Sequence, residues 1–245
     1  MGNVSNEIET RMVSMGDNAQ AAHLARFFKT GKGEYGEGDR FLGIRVPQTR
    51  ELVKEYRRVA EIEDVSRLLL SPWHEIRLAG FLLLVELYKR AKSDKDKRHV
   101  VDFYLSVLHR GNNWDLVDVV APKILGLWLV RHPEERGVLY ELAAMDGCLW
   151  HQRTAVVACW SIIREGDYED TLRLSEMLMT HSHDLIHKAT GWMLREAGKR
   201  RGKAELLTFL DRYADKMPRT MLRYAIERLT DEERRHYMSL GKPLS

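Results

Sequence analysis

Strand-like alternation of Val, Ile, Thr and aromatic residues is almost absent from this chain, and that absence constrains its fold more than any other feature. Abundant Leu, Ala, Glu, Lys, Arg and Met favour helices, and only 17 Gly and 6 Pro occur in 245 residues. Short polar breaks separate apolar segments of helical length, at residues 31–39, 92–97, 111–113, 131–133, 166–167, 199–202 and 217–218. Connections this short join antiparallel neighbours, so the sequence predicts an all-α fold.

Similar segments recur along the chain at the spacing of stacked helical units. W-H-E-I-R-L-A at 73–79 is similar to W-H-Q-R-T-A at 150–155, and K-A-T at 188–190 begins a third segment of this kind. The intervals suit roughly 35 to 40 residues per helical pair, which is the period of HEAT-like or armadillo-like repeats. The sequence therefore predicts a helical-repeat solenoid whose inner helices line a concave binding face.

The length suits one extended domain or two small ones. We expect a repeat domain at 21–230, preceded by a helical or flexible segment at 1–20 and followed by a C-terminal helix and tail at 231–245. Two cysteines are too few for a disulfide scaffold, the first twenty residues lack an apolar leader, and the longest apolar run, 81–85, is too short to cross a bilayer. The sequence predicts a cytoplasmic monomer without membrane association.

Basic residues are concentrated at the C-terminal end. The whole chain carries a formal charge of +3, but residues 188–245 contain 14 basic and 8 acidic side chains, a formal charge of +6. The end richest in basic residues is the end expected to face an anion, with its densest cluster at Arg195, Lys199, Arg200, Arg201 and Lys203. A solvated helix terminus, where basic residues favour the helix dipole, is an equally good interpretation of this cluster.

Two motifs that resemble cofactor or metal sites lack the required context. G-K-G-E-Y-G at 31–36 satisfies the letters of a dinucleotide-binding turn, but it follows a helical segment and no βαβ unit surrounds it. H-D-L-I-H at 183–187 places two histidines four residues apart, yet Asp replaces the Glu of a zinc peptidase helix and no third ligand is evident. A polar helix entry explains the second motif better, so we expect neither cofactor nor metal.

The stretch N-W-D-L-V-D at 113–118 is the strongest functional signal. If an asparagine caps a helix here, Trp114 and Asp118 lie on one face of its first turns. Arg153 follows Trp114 by 39 residues, and Trp192 follows Arg153 by another 39. Core packing is the alternative role for each tryptophan, and Trp128 and Trp160 are assigned to the core.

Taken together, four stretches of the chain resemble the AlkD-like DNA alkylation repair proteins, which are helical-repeat DNA glycosylases that excise positively charged alkylpurines. The stretches are F-L-G-I-R-V-P at 41–47, W-D-L-V-D at 114–118, L-W-H-Q-R-T-A at 149–155 and I-H-K-A-T-G-W-M-L-R-E at 186–196. They occur in the expected order, and the resemblance extends over residues 21–228.

The resemblance implies that Asp118 is the catalytic carboxylate and that Trp114 and Trp192 form aromatic walls around the sugar and backbone of the lesion. It also implies that Arg153 contacts a phosphate. The chain departs from the family at Phe27, where members with established activity carry a tyrosine. The glycine-rich insertion at 31–38 marks a side branch, and some branches of the family are thought to bind DNA without excising bases.

The chemistry itself requires few groups. Cleavage of an N-glycosidic bond develops oxocarbenium character on the sugar, and an ionised carboxylate about 4 Å away would stabilise that charge by roughly 4 kcal/mol, worth about a thousandfold in rate. A base that is already cationic leaves as a neutral molecule, so Asp118 suffices without a general acid. We expect Asp115 to point elsewhere or to support the turn. Electron-rich indole faces would add about 0.5 to 2 kcal/mol toward a cationic sugar.

The predicted function is therefore excision of alkylated purines such as 3-methyladenine and 7-methylguanine from duplex DNA. The duplex would lie in an open groove, without insertion of the base into a deep cavity. Lys188 and the C-terminal basic cluster would add affinity that is independent of DNA sequence and sensitive to salt. Two rival functions are a solenoid that binds DNA without catalysis and a solenoid that binds proteins, which would show neither base release nor DNA affinity.

Overall fold

The computed structural model describes residues 4–240, and this part of the chain is built from helices without any strand. An isolated bridge between Arg40 and Trp73 lies outside the helices. The predicted all-α class is confirmed. The chain divides into two compact units, Met1–Val120 and Ala121–Ser245. Residues 1–3 and 241–245, the ends of the two predicted terminal segments, lie outside the described residues.

The first unit surrounds one buried helix. Its helices are α1 (Val4–Ser14), α2 (Asn18–Phe27), α3 (Val46–Tyr56), α4 (Ile62–Leu69), α5 (His74–Arg90), α6 (Asp94–Ser106) and α7 (Trp114–Val120). Helices α3, α4, α6 and α7 all pack on α5, of which 14 of 17 residues are buried. The middle of this helix is apolar on every face, as the run F-L-L-L-V at 81–85 shows, whereas its first turn buries the polar side chains of His74, Glu75 and Arg77. Helix α5 is therefore the element that positions the rest of the unit.

The second unit is arranged around two long helices, each of 16 residues. A π-helical turn at Pro122–Gly126 precedes α8 (Leu127–Arg131), α9 (Gly137–Ala143), α10 (Leu149–Arg164), α11 (Glu169–Met177), α12 (Asp184–Lys199), α13 (Lys203–Tyr213), α14 (Arg219–Ala225) and α15 (Asp231–Ser239). Helix α10 packs on α9, α11 and α12, and α12 packs in turn on α13 and α14. Two of the similar segments of the sequence lie at the starts of α5 and α10, which is consistent with an α-helical repeat. The third, K-A-T at 188–190, lies inside α12, which begins four residues earlier at Asp184. The HEAT-like assignment and the concave face stay predictions.

Side-chain caps begin several of these helices. The carboxylate of Asp17 accepts hydrogen bonds from the backbone N–H groups of Ala19 and Gln20, and Ser93 caps α6 in the same way. Each cap satisfies helix N–H groups that have no partner within the helix. Between residues 4 and 240, no helix combines the length and apolar character that a membrane span requires.

The two tryptophans assigned to the core differ in burial. Trp128 is buried, and its indole N–H donates to Glu135 Oε2 at 3.0 Å. Trp160 is only half-buried, and the guanidinium of Arg164 lies 4.8 Å from the centre of its ring. The prediction is confirmed for Trp128 and wrong for Trp160, which forms a cation–π contact near the surface.

Candidate functional site

Trp114 is the first residue of α7, Asp118 lies one turn further along it, and both line the same cavity of the first unit. The Oδ1 atom of Asn113 accepts a hydrogen bond from the backbone N–H of Trp114 at 2.9 Å, which fixes the start of the helix. Both predicted residues are half-buried, and both contribute to the wall of a cavity of about 440 Å³. The predicted four-residue relationship of ring and carboxylate is confirmed.

Five aromatic rings contribute to the wall of this cavity. Phe28 is stacked on Trp114 with ring centres 5.2 Å apart and on Phe41 at 5.2 Å, and Phe41 is stacked on the imidazole of His74 at 4.6 Å. Phe27 meets Trp114 edge-on at 6.0 Å. Trp114 is therefore held as the outer member of a continuous stack that ends on a buried histidine.

Beneath the stack, His74 lies between two carboxylates. Its Nδ1 lies 2.7 Å from Asp39 Oδ2, and its Nε2 lies 2.9 Å from Asp115 Oδ2. Arg77 donates to the other oxygen of Asp39 at 2.5 Å. All four side chains are buried, so each charge depends on its neighbours for compensation.

The electrostatics of this cluster favour a charged imidazole. Burial alone would lower the pKa of His74, but the charge of Asp115 and the hydrogen bonds to Asp115 and Asp39 outweigh it and raise the pKa to about 9. Burial would raise the pKa of Asp39, but His74 and Arg77 hold that pKa below its usual value. The structure thus contains a carboxylate–imidazolium–carboxylate chain directly below the candidate site.

Asp115 supports this chain as well as the helix start. Its Oδ1 accepts a hydrogen bond from the N–H of Leu116 at 2.9 Å, while its Oδ2 binds His74. The expectation that Asp115 supports the turn is confirmed. Its link to His74 was not predicted, although the W-H-E-I-R segment that contains His74 had been noticed as a repeat signal.

Glu75 holds the loop that forms another wall of the cavity. Its two carboxylate oxygens accept hydrogen bonds from the backbone N–H groups of Leu42, Gly43 and Ile44 at 2.8 to 3.1 Å. Gly43 has a φ of +90°, a conformation that favours glycine, and an added Cβ would lie 2.0 Å from the carbonyl oxygen of Asp17. The F-L-G-I-R-V-P segment is therefore shaped by one buried carboxylate.

Trp192 and Arg153 lie in the second unit. Trp192 is half-buried on α12, next to Gly191, whose missing side chain allows α12 to approach the Met221 carbonyl of α14. Arg153 is only 5% exposed, and its Nη1 donates to the carbonyl of Leu185 at 2.7 Å. Little of the Arg153 guanidinium is therefore accessible to a phosphate in this conformation. The joint action of these residues with Trp114 and Asp118 stays a prediction.

The C-terminal basic cluster is largely paired with acidic side chains. Lys188 lies 2.8 Å from Asp184, Arg195 binds Glu227, and Lys199 lies 3.8 Å from Glu196. These acidic partners make the positive potential of this surface weaker than the formal charge of the C-terminal residues suggests. The exposed side chains that follow α12 are those of Arg200 and Arg201.

The two motifs that lacked context have structural explanations. At 31–36, the backbone N–H groups of Gly31 and Gly33 donate to the carboxylates of Glu34 and Glu37 at 2.8 and 2.7 Å, in the position that a phosphate would need. His183 caps α12 by accepting a hydrogen bond from the N–H of Leu185, so the polar helix entry is confirmed.

One group of potential metal ligands is present among residues 4–240. The ligand atoms of His132, Glu134 and Glu135 lie within 4.8 Å of one another. Each of the three already has a protein partner, because His132 and Glu134 bind one another and Glu135 accepts a hydrogen bond from Trp128. This group was not anticipated from the sequence, and exposed acidic groups such as Glu134 are common without a metal.

Comparison with known proteins adds to this geometry. The family model described as DNA alkylation repair enzyme matches residues 8–229. A solved structure, described as a predicted DNA alkylation repair enzyme from Enterococcus faecalis, has a similar fold with a TM-score of 0.67 and 17% sequence identity. The similarity covers 88% of this chain and 97% of that one. No curated protein matches the sequence.

Proposed function

Because the chain belongs to the DNA alkylation repair enzyme family, we propose that it is a DNA glycosylase that hydrolyses the N-glycosidic bond of positively charged alkylpurines in duplex DNA. Its substrates would include 3-methyladenine and 7-methylguanine, and it would act as a monomer. The observation that carries the proposal is the placement of Trp114 and Asp118 on the wall of one cavity. A ring and a carboxylate so placed are the two groups that this reaction needs.

In the proposed reaction, the bond between C1′ and the purine nitrogen breaks, and its electron pair neutralises the departing cationic base. The sugar gains oxocarbenium character, which the Asp118 carboxylate stabilises. Water then forms a bond to C1′ and releases a proton to solvent. No group has to protonate the base, since the alkyl substituent has already made it a leaving group.

Residues of the second unit would hold the duplex. Trp192 would pack on the sugar and backbone of the lesion, and Arg153 would contact a phosphate through its fork of N–H donors. The remaining phosphate contacts would come from Lys188, Arg195, Lys199, Arg200 and Arg201. Because most of these charges are paired with acidic side chains, DNA would have to compete for them.

DNA binding without base excision is the second candidate function. The observation that favours it is Phe27, which is 55% exposed at the cavity and stands where active relatives carry tyrosine. A protein with this function would retain affinity for duplex DNA and release no base. Binding and base release therefore separate the two candidates.

The test uses duplex DNA methylated with dimethyl sulfate and chromatography of the released bases. The proposal predicts release of methylated purines by the wild type, and a large loss of release but retained duplex binding in Asp118→Asn. Asp102→Asn makes the same chemical change at an exposed position of α6. This variant should release bases at the wild-type rate. No release by the wild type despite DNA binding would favour the second candidate.

A further inference from the structure

A groove with basic and apolar walls lies at the C-terminal end of α5. Its volume is about 620 Å³, and it is lined by the start of α4, the end of α5 and the start of α6. Helix α5 has 17 residues, so at about 1.5 Å per residue this end lies roughly 24 Å from His74 and the candidate site. The groove is therefore separate from the cavity that Trp114 and Asp118 line.

The chain around this groove is strongly basic, although the larger part of the sequence that contains it is not. Residues 89–99, K-R-A-K-S-D-K-D-K-R-H, contain six basic and two acidic side chains, a formal charge of 6 − 2 = +4. Residues 1–187 as a whole carry 3 − 6 = −3. Positive charge is thus concentrated at one place in an otherwise acidic part of the chain, and such a concentration indicates an anionic partner.

Arg90, Lys92 and Lys95 form the basic rim of the groove. Arg90 donates to three backbone carbonyls between residues 57 and 60, which fix its guanidinium without neutralising its charge. The side chains of Lys92 and Lys95 are exposed. Within residues 4–240, none of the three forms an ion pair with a carboxylate. Their charges are therefore available to a ligand.

The neighbouring basic side chains, by contrast, are engaged within the protein. Lys89 binds Glu86, Arg98 binds Asp102, and the ammonium group of Lys97 lies 4.4 Å from the centre of the Tyr88 ring. The sequence count of basic residues therefore overstates the charge that a partner meets. The part that remains for a partner is the rim of the groove.

Asp96 also lines the groove and lowers its net charge. Its Oδ2 accepts hydrogen bonds from the backbone N–H and the hydroxyl of Ser93 at 3.3 and 2.7 Å, and the bonds to Ser93 hold the pKa of Asp96 below its usual value. Asp96 is therefore ionised and committed to the start of α6. With His99 neutral, the groove lining carries 3 − 1 = +2.

Ile62, Leu87 and Val100 supply the apolar part of the lining. Leu87 is 9% exposed and Val100 is 6% exposed, so these residues form the floor beneath the exposed lysines. The floor distinguishes between two kinds of anionic partner. A phosphate backbone has no apolar group to cover it, whereas an acidic peptide can place an aliphatic or aromatic side chain there while its carboxylates contact the rim.

We propose that this groove docks an acidic peptide segment of a partner protein, with an apolar anchor side chain on the floor and carboxylates on the rim. The fixed guanidinium of Arg90 is suited to a carboxylate, because its planar fork matches the two carboxylate oxygens. Since the groove lies at the opposite end of α5 from the candidate site, the partner can bind without blocking that site. The inference goes beyond the proposed function and does not depend on it.

The experiment measures binding of fluorescein-labelled peptides to the whole protein by fluorescence anisotropy at low salt. The probe is D-D-E-L-F-D-D, and its matched control, D-D-E-S-S-D-D, has the same charge without the apolar anchor. The proposal predicts that the probe binds about tenfold more tightly than the control and that added salt weakens its binding. Absence of saturable binding of the probe, or equal affinity for the two peptides, would overturn the proposal.

Charge reversal locates the binding on the protein. The double variant Lys92→Glu and Lys95→Glu should weaken binding of the probe by about tenfold, because it places carboxylates opposite carboxylates. Arg212→Glu with Lys216→Glu changes the net charge of the protein by the same amount at exposed positions outside the groove, and the probe should bind it as it binds the wild type. Equal affinity of the probe for the two double variants would contradict the assignment to this groove.

Loss of the apolar floor provides a second test of location. Ile62→Ser should weaken binding of the probe and leave the weaker binding of the control peptide unchanged. Val13→Ser removes an apolar side chain that is 50% exposed on α1 and should have no effect. Thermal melting followed by circular dichroism shows whether Ile62→Ser remains folded. A folded Ile62→Ser protein with wild-type affinity for the probe would reject an anchor on the floor.

Duplex DNA tests the other anionic partner. Lys92→Glu with Lys95→Glu should weaken binding of undamaged duplex DNA no more than the charge-matched control variant does, and it should release methylated purines at the wild-type rate. A specific loss of DNA binding in the groove variant, with no effect on the peptide, would make the groove a nucleic-acid contact and overturn the proposal. If the wild type bound the probe but released no base, the glycosylase would be rejected and the docking groove retained.

Discussion

The imidazole of His74 is joined to Asp115 by a hydrogen bond of 2.9 Å between Nε2 and Oδ2, with both side chains buried beneath the aromatic stack. The opposite ring nitrogen binds Asp39 at 2.7 Å. These hydrogen bonds join the start of α5 to the start of α7, the helix that carries Trp114 and Asp118. The position of the candidate site therefore depends on a buried ionic cluster.

Removal of the imidazole should destabilise the first unit strongly. His74→Ala leaves the carboxylates of Asp39 and Asp115 buried without their shared partner, and breaking a buried ion pair costs about 3 kcal/mol or more. We expect the free energy of unfolding in urea to fall by about that amount. His109→Ala, at an exposed position of the same unit, is the control and should change it little.

The stability of the protein should depend on pH in a way that His74 explains. Its folded pKa of about 9 lies above the ordinary value of 6.5, so its stabilising contribution is complete below 6.5 and is lost as the pH rises toward 9. Asp39 has a lowered pKa, and its contribution is lost as the pH falls through the acidic range. In His74→Gln, the loss of unfolding free energy between pH 6.5 and 9 should be much smaller than in the wild type. An unchanged loss would show that another group causes it.

The packing of α12 on α14 should not tolerate a side chain at position 191. An added Cβ would lie 2.4 Å from the carbonyl oxygen of Met221 and 2.6 Å from the Cβ of Tyr224. Gly191→Ala should therefore lower the free energy of unfolding by about 2 kcal/mol through overpacking. Gly137→Ala, where an added Cβ meets nothing within 4 Å, should be neutral or slightly stabilising. If Gly191→Ala and Gly137→Ala changed the free energy of unfolding by similar amounts, this account of how Trp192 is positioned would be contradicted.

Salt titrations of DNA binding should identify the side chains that contact phosphate. Loss of one contact makes the slope of log K against log salt shallower by about 1. The double variant Arg200→Ala and Arg201→Ala removes two exposed charges, so a decrease of about 2 is expected. Arg153→Ala should decrease the slope by about 1 if its buried guanidinium becomes accessible when DNA binds; an unchanged slope would restrict Arg153 to its bond with Leu185.

Local sequence patterns were enough to predict the all-α class and the shared position of Trp114 and Asp118. Both follow from helical periodicity over a few residues. The aromatic stack was not predictable in this way, because Phe28 directly follows the end of α2 and Phe41 lies in a loop. Glu75, more than thirty residues away, holds that loop in place. The pairing of Arg195 with Glu227, which lies 32 residues further along the chain, was not predictable from local patterns either. Contacts between distant segments decide which charges face solvent.

The most direct measurement of the central claim is the single-turnover rate of base release from a duplex that contains one 7-methylguanine. With wild-type protein in excess over DNA, the account predicts release well above the spontaneous rate and a decrease of about a thousandfold in Asp118→Asn, as expected for loss of one carboxylate beside a developing oxocarbenium ion. Equal rates for wild type and Asp118→Asn would contradict the account.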